Sequence, residues 1–480
     1  MNPLFVEFLR WFNIIVIGYY GIANGVYALL LIISVFVVLR HQKRVKYGKY
    51  VETIHPSTAP PVSILISAYN EESNVAETVR ALFHLKYPLY EVVAINDGSD
   101  DDTLKKLIDA FSLKRIDLIY RDTLKTARVR GFYANPEYPN LTVIDKVHSG
   151  KGDSLNVGIN VSRSPYFCTI DADSILEDEA LTRLMRPIVE YPDLVKATGG
   201  IVRLINGSTI RDGRIAELRM PKDILSRMQV VEYIRSFLFG RAAWSAMNCL
   251  SIISGTFSMF HKKSTVDIGG FGLDTVTEDL DLVMRLHRYF REKKERYRIM
   301  FVPDPVCWTE APHTLKMLGR QRRRWHLGLA QSMTRHLRML FNPFYGRIGL
   351  FAYPFQFFIE MLGPPIEIFG YVVVTFCFMA GIVNLEFFML FLTMSIFLGV
   401  ILSIGAVLLE EFTFRRYKKV SELLTLMLFG VLENFGYRQL NAIWRMQALL
   451  KFVFRSKRWE HVEKRGFERT ESELEEDALV

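Results

Sequence analysis

An α/β, Rossmann-like domain inserted between membrane helices is the fold class that this sequence predicts. Three observations carry that expectation. Residues 11–39, 368–385 and 387–409 hold no charged side chain, and each run is long enough for a bilayer span. Between the first and second runs, apolar strand-like segments alternate with helical ones, which is the pattern of a parallel sheet. A basic cluster of Arg40, His41, Lys43, Arg44, Lys46 and Lys49 follows the first run and puts the inserted domain on the cytosolic side.

Bulk composition agrees. Half of the 480 residues are apolar, and mean hydropathy is +0.14. The net charge of +9 comes from basic residues that flank apolar runs. No nucleic-acid motif accompanies it, so nucleic acid is not an expected partner. The four cysteines, Cys168, Cys249, Cys307 and Cys377, lack CxxC spacing and read as buried thiols on a reducing side.

Taken in order, residues 1–45 form an N-terminal transmembrane helix and its basic flank. As a helix, the uncharged run rises roughly 43 Å, enough to cross with tilt. It is too long for a cleaved signal peptide and lacks a small-residue cleavage pattern. Residues 46–312 form the α/β domain, after a short linker at 56–61. Strands are expected at 62–68, 91–95, 141–144, 166–170, 195–204, 251–260 and 297–301. Helices are expected at 75–85, 103–111, 152–161, 174–190, 221–247 and 278–290. The basic stretch 121–140 reads as irregular.

Residues 313–345 hold a basic amphipathic helix suited to a membrane surface. Residues 346–455 form a C-terminal membrane region of about two to four segments. Within it, 346–365 is interrupted by Pro354, Glu360, Pro364 and Pro365 and reads as interfacial or broken. Residues 423–454 carry Glu433, Asn434, Arg438, Gln439, Asn441 and Arg445, so they either line a cavity or lie flat on the surface. Arg415, Arg416, Lys418 and Lys419 mark a return to the cytosol. Residues 456–480 read as a cytosolic tail with an acidic end.

Ligands on open parallel sheets bind at the carboxyl ends of strands, and the polar loops gather there. Asp171-Ala172-Asp173 ends one strand. Two carboxylates so spaced suit a hard divalent cation completed by substrate phosphates, although Asp-x-Asp is also common in turns. Asp97 ends another strand; Asp97-Gly98 is strong turn chemistry, and the carboxylate can also meet a base or ribose. Lys151 lies between two glycines before a helix, where anions are favoured, and there is no Walker A spacing. Thr277-Glu278-Asp279 opens a helix. Acidic first turns are ordinary, but Asp279 can also serve as a general base. In Gln321-Arg322-Arg323-Arg324-Trp325, a snorkelling basic helix accounts for two arginines. Arg324 can also clamp a diphosphate, and Trp325 can stack on a sugar. His148, His261, His313 and His326 show no metal spacing and read as structural.

These motifs, with Tyr69-Asn70-Glu71 and Asn96-Asp97-Gly98, resemble those of the processive membrane-bound family-2 glycosyltransferases over residues 60–330. Cellulose, chitin, hyaluronan and poly-N-acetylglucosamine synthases belong there. The resemblance implies a GT-A fold, a UDP-sugar donor, Mg2+ or Mn2+, and a β-linked product made by inversion. It implies nucleotide contacts from Tyr69, Glu71, Asp97, Lys151, Asp171, Gln321 and Arg324, and a metal held by Asp173 with Asp171. Asp279 would be the base. Ser254, Gly255, Thr256, Glu278 and Trp325 would face the acceptor. The implied product is a polysaccharide exported through the protein's own membrane region, with a growing chain, the lipid bilayer and accessory or secretion subunits as partners. The alternative is one sugar added to a lipid acceptor. The expected location is the plasma or bacterial inner membrane, multi-pass. No Phe-x-Val-Thr-x-Lys gating loop is present, and the tail is short for a second-messenger domain, which argues against regulated cellulose synthesis.

Overall fold

The computed structural model describes residues 3–47, 54, 58–211, 213–414, 417 and 419–454. The linker expected at 56–61, the basic return at 415–419 and the tail at 456–480 fall wholly or partly outside them. The described residues form two compact units. One draws on residues 41–222 and 245–312, the other on residues 3–40, 223–244 and 313–454. Residues 223–244, inside the span expected for the α/β domain, thus pack with the apolar helices. Their buried face, with Phe237, Leu238 and Phe239, explains why.

The first unit is an α/β sheet layered with helices. Its strands are β1 (Val62–Ala68), β2 (Tyr90–Asn96), β3 (Lys114–Ile116), β4 (Val129–Ala134), β5 (Leu141–Lys146), β6 (Tyr166–Asp171), β7 (Ser174–Leu176), β8 (Val195–Leu204), β9 (Thr209–Arg211), β10 (Arg214–Glu217), β11 (Phe257–His261) and β12 (Arg298–Thr309). Ten of them form one sheet in the order β3-β4-β5-β2-β1-β6-β11-β8-β12-β7, and β9 pairs with β10. β5, β2, β1 and β6 run parallel. Their cores are near-continuous runs such as Ile64-Leu65-Ile66 and Val92-Val93-Ala94-Ile95, all buried. A strand covered on both faces needs that pattern rather than alternation.

β1 is followed by β2 on one side and, later, β6 on the other. The chain therefore reverses its direction of build at β1/β6, the place where open α/β sheets bind ligands. This is a GT-A-like sheet flanked by helices.

Several elements differ from the sequence expectation. The stretch 121–140 is not wholly irregular: it contains β4, antiparallel to β5. Residues 174–176 form β7, and the helix starts only at Ala180. β11 starts only at Phe257; just before it, Gly255 and Thr256 turn and bond to the carboxylates described below.

The second unit is helical. Pro3–Lys46 and Leu385–Thr413 are long and apolar enough to cross a membrane. Ile348–Met361 and Gly363–Met379, bent by 44°, make a third span if counted together. The run 368–385 is therefore not a full span by itself: its helix ends at Met379. The stretch 423–454 divides into Val420–Leu432 and Tyr437–Val453, broken at Gly436, whose φ is +90°. Several buried charges in this unit are paired. Arg322 donates to Glu232 (2.8 Å), Tyr437 donates to the same carboxylate (2.6 Å), and Arg235 lies 3.3 Å from Glu433.

Candidate functional site

The carboxyl edge of the sheet gathers its loops through side-chain to backbone bonds. The loop after β1 is tied to the loop after β2. Asp100 N–H donates to Asn70 Oδ1 (2.9 Å), Glu71 N–H to Thr103 Oγ1 (2.9 Å), and Tyr69 Oη to Asp100 Oδ2 (3.1 Å). The loop after β5 joins them at Gly98. Gly98 has φ +64°, and a Cβ there would come within 2.7 Å of His148 N. Glycine is required both by conformation and by space.

Asp97 is the pivot of this corner and is 1% exposed. Its Oδ1 accepts from Lys146 Nζ (2.5 Å) and Ser149 N–H (3.1 Å). Its Oδ2 accepts from Gly150 N–H (2.8 Å) and lies 3.0 Å from His148 Nδ1. Gly150 precedes the Lys151–Val161 helix, so Asp97 caps that helix from another strand. Lys146, fully buried, also reaches Asp153 Oδ1 at 3.0 Å. Sequence reasoning missed Lys146 and His148. Nothing marks either one in the sequence, because their partner Asp97 arrives from 49 and 51 residues away.

Lys151 opens the same helix and turns toward the end of β6. Its Nζ lies 2.5 Å from Asp171 Oδ1 and 3.6 Å from Glu278 Oε1, and 3.4 Å from Gly255 O. Burial works against the Lys151 ammonium, but Asp171, Glu278 and Asp279 outweigh it and hold its pKa above the ordinary lysine value. Asp171 Oδ2 accepts from Thr256 Oγ1 (2.8 Å). Asp279 Oδ2 accepts from Gly255 N–H (2.8 Å), and its Oδ1 from Leu280 N–H (2.8 Å). The Gly255-Thr256 turn thus links Asp171 to Asp279. A Cβ at Gly255 would meet Asp279 Oδ2 at 3.2 Å.

Asp173 is 3% exposed, with Ser174 Oγ and Thr309 Oγ1 each 3.4 Å from its Oδ1. Among the described residues, no group of three or more His, Cys, Asp and Glu side chains is placed to hold a metal. Mg2+ and Mn2+ need only one or two protein carboxylates and draw the rest of their ligands from water and phosphate. Asp171 is paired with the Lys151 ammonium.

The structure therefore brings Lys151, Asp171, Gly255, Thr256, Glu278 and Asp279 together, and ties Asp97 and Tyr69 to the neighbouring loops. Gln321, Arg324 and Trp325 belong to the helical unit, on the helix Leu315–Arg335. Arg324 and Trp325 are exposed there. Arg322 is buried, with its guanidinium 4.6 Å from the centre of the Trp325 ring.

Comparison with known proteins supplies the context. The family model "Glycosyl transferase family 2" matches residues 63–264, and "Glycosyl transferase family group 2" matches residues 166–409. The chain is 27% identical over 267 residues to a poly-beta-1,6-N-acetyl-D-glucosamine synthase of Staphylococcus epidermidis, covering 56% of this chain and 54% of the relative. It is 28% identical over 268 residues to the protein of that name from Staphylococcus aureus (strain COL), with the same coverage, 56% and 54%. The chain thus spans about half the length of the curated relatives it matches. Among solved structures it is similar to a mannosyltransferase from Pyrobaculum calidifontis in complex with GDP-Man and Mn2+. The TM-score is 0.52 at 15% identity, covering 91% of this chain and 100% of that one; at that identity the likeness speaks for the fold alone. With more than half of its length matched, the chain belongs to glycosyl transferase family group 2.

Proposed function

We propose that this family-2 glycosyl transferase is an inverting enzyme that builds a β-linked polysaccharide from a UDP-sugar and passes it through its own membrane region. One observation carries the reading: Lys151 and the Gly255-Thr256 turn join Asp171, Glu278 and Asp279 into one cluster at the carboxyl edge of the sheet. Donor and acceptor chemistry need such adjacency, since the reacting atoms must meet within about 3–3.5 Å.

In this reading Asp279 removes the proton from the acceptor hydroxyl as it attacks the anomeric carbon. A single displacement from the face opposite the diphosphate inverts configuration. The amides of Gly255 and Leu280 fix the orientation of the Asp279 carboxylate before the acceptor arrives. Lys151 is poised to meet the negative diphosphate. Asp173 and Asp171 would hold Mg2+ or Mn2+, which when bound neutralises charge on the leaving group. Gln321, Arg324 and Trp325 would serve the diphosphate and acceptor end. The catalytic unit faces the cytosol, where UDP-sugars are made.

UDP-N-acetylglucosamine is the first donor to test, given the names of the matched relatives. The purified protein in detergent is incubated with radiolabelled UDP-sugars and Mg2+ or Mn2+, and products are sized by gel filtration. Long polymer is expected, and Asp279→Asn should lower kcat by roughly 10²–10⁴. A product one sugar long on lipid would instead support a non-processive transferase. Silence with every donor, or full activity in Asp279→Asn, would overturn the proposal.

A further inference from the structure

Ile348–Met361 and Gly363–Met379 meet at a 44° bend, and the sequence explains where it falls. In an α-helix the carbonyls of Glu360 and Met361 accept from the N–H groups four residues on. Those positions are Pro364 and Pro365, which have no N–H to give. At membrane depth such carbonyls need other donors. Side chains from two other helices supply them. Arg445, on the helix Tyr437–Val453, donates from Nη2 to the Glu360 carbonyl. His326, on the helix Leu315–Arg335, places Nε2 3.1 Å from the Met361 carbonyl.

The tautomer of His326 follows from its two neighbours. A carbonyl oxygen only accepts, so Nε2 carries the proton. A guanidinium only donates, so Nδ1 accepts from Arg445 Nε, 3.3 Å away. His326 is buried, and burial with Arg445 alongside holds its pKa far below 6.5, which keeps the ring neutral. Arg445 is anchored in turn by the Glu360 carboxylate (3.3 Å), which also accepts from Tyr27 Oη. His326 directly follows Trp325 in the chain, and Trp325 lies under the Arg322 guanidinium that Glu232 holds. His326 thus fixes the helix to the proline break, while Arg322 fixes the Trp325 ring on that helix.

We propose that His326 and Arg445 are positioning residues for the acceptor: by taking the two carbonyls that Pro364 and Pro365 leave without donors, they lock the helix that carries Trp325 to the broken span and keep the growing chain in register between transfers. The inference rests on the polysaccharide reading above. Loss of the bracket lets Trp325 shift, so a chain is released after fewer additions, while Asp97, Lys151 and Asp171 in the α/β unit still meet the nucleotide.

The test compares purified parent, His326→Leu and His326→Gln in detergent with the radiolabelled UDP-sugar panel, UDP-N-acetylglucosamine first. Mean polymer length is read at low conversion, and UDP affinity is read separately by calorimetry. His326→Leu loses both bonds and should shorten the polymer about fivefold, the order that one net hydrogen bond is worth. Its UDP affinity should stay within about threefold of the parent, a shift smaller than one such bond. Glutamine carries one donor and one acceptor, so His326→Gln should recover most of the length. If His326→Leu does not elute as a single species, Arg445→Lys keeps the charge beside Glu360 without the guanidinium fork and should shorten the polymer in the same direction. Parental length in His326→Leu or Arg445→Lys, no recovery in His326→Gln, or a loss of UDP affinity as large as the loss of length overturns the bracket and leaves the polysaccharide reading intact. A parent that makes no polymer from any donor overturns both.

Discussion

Lys146 shows how a single residue sets this site without touching a ligand. It is fully buried, and its ammonium is shared between Asp97 and Asp153, themselves 1% and 3% exposed. Such a charge is tolerated only where partners surround it. Here they include the Val147 carbonyl (2.8 Å) and Ser149 Oγ. Replacing it by methionine keeps the volume but leaves two buried carboxylates without the ammonium they share. Lys146→Met should therefore destabilise the protein by about 3–5 kcal/mol. Adding Asp153→Asn removes one of the stranded charges and should recover part of that loss, so the two changes will be non-additive by at least about 1 kcal/mol. Thermal unfolding of the two single variants and the double variant measures this. Additive effects would mean that Lys146 acts on Asp97 alone.

At the scale of elements, the helix Glu278–Glu292 presents Asp279 in its first turn and is pinned further along by His287. His287 is fully buried. Its Nδ1 lies 2.7 Å from Tyr297 Oη and its Nε2 2.8 Å from Leu250 O. The helix is thus tied to the segment that leads into Gly255. Burial, aided by the nearby Arg291, pushes the His287 pKa down to about 4 from an ordinary 6.5. The unfolded chain therefore binds a proton that the folded one refuses. The contribution is complete above pH 6.5 and is lost as pH falls from 6.5 toward 4, by about 3 kcal/mol. His287→Phe removes this penalty along with the two hydrogen bonds. The variant should melt well below the parent at pH 7.5, and the gap should narrow steadily down to pH 4.5. A constant gap would assign the whole effect to packing. The same scale shows what was legible in the sequence. β1, β2, β5 and β6 stand out because doubly covered parallel strands must be apolar throughout. β3, β4 and β7 do not: β3 and β7 have three residues each, and β4 interleaves Arg130 and Gly131 with its apolar residues. Asp171, Asp279 and Lys151 were visible because carboxylates and a glycine-flanked lysine fall at element ends. The bridging role of Gly255-Thr256 depends on a turn that looks like continuing strand.

For the molecule as a whole, the α/β unit is an insertion between stretches of chain that fold together. Val16 and Tyr20 from the first helix join Val374 and Phe391 from the last third of the chain in one buried cluster. Asn24 Nδ2 also donates to Met394 O (2.8 Å). Hydropathy marks each helix as apolar but says nothing about which helices meet, since lipid tails offer no preference among apolar faces. Small residues and close backbone approach decide that. Gly370 is such a contact: a Cβ built there would come within 2.9 Å of Val16 Cγ1. The two Cβ positions are therefore no more than about 4.4 Å apart, inside the roughly 3.5–4.5 Å that a disulfide spans. The native cysteines, Cys168, Cys249, Cys307 and Cys377, are free and buried, so background cross-linking should be low. Val16→Cys combined with Gly370→Cys should form a disulfide in native membranes under mild oxidation. After proteolysis within the α/β insertion, the two halves should migrate as one species on a non-reducing gel and separate on reduction. Neither single variant should show this. Halves that separate without reductant would mean that the first helix packs elsewhere.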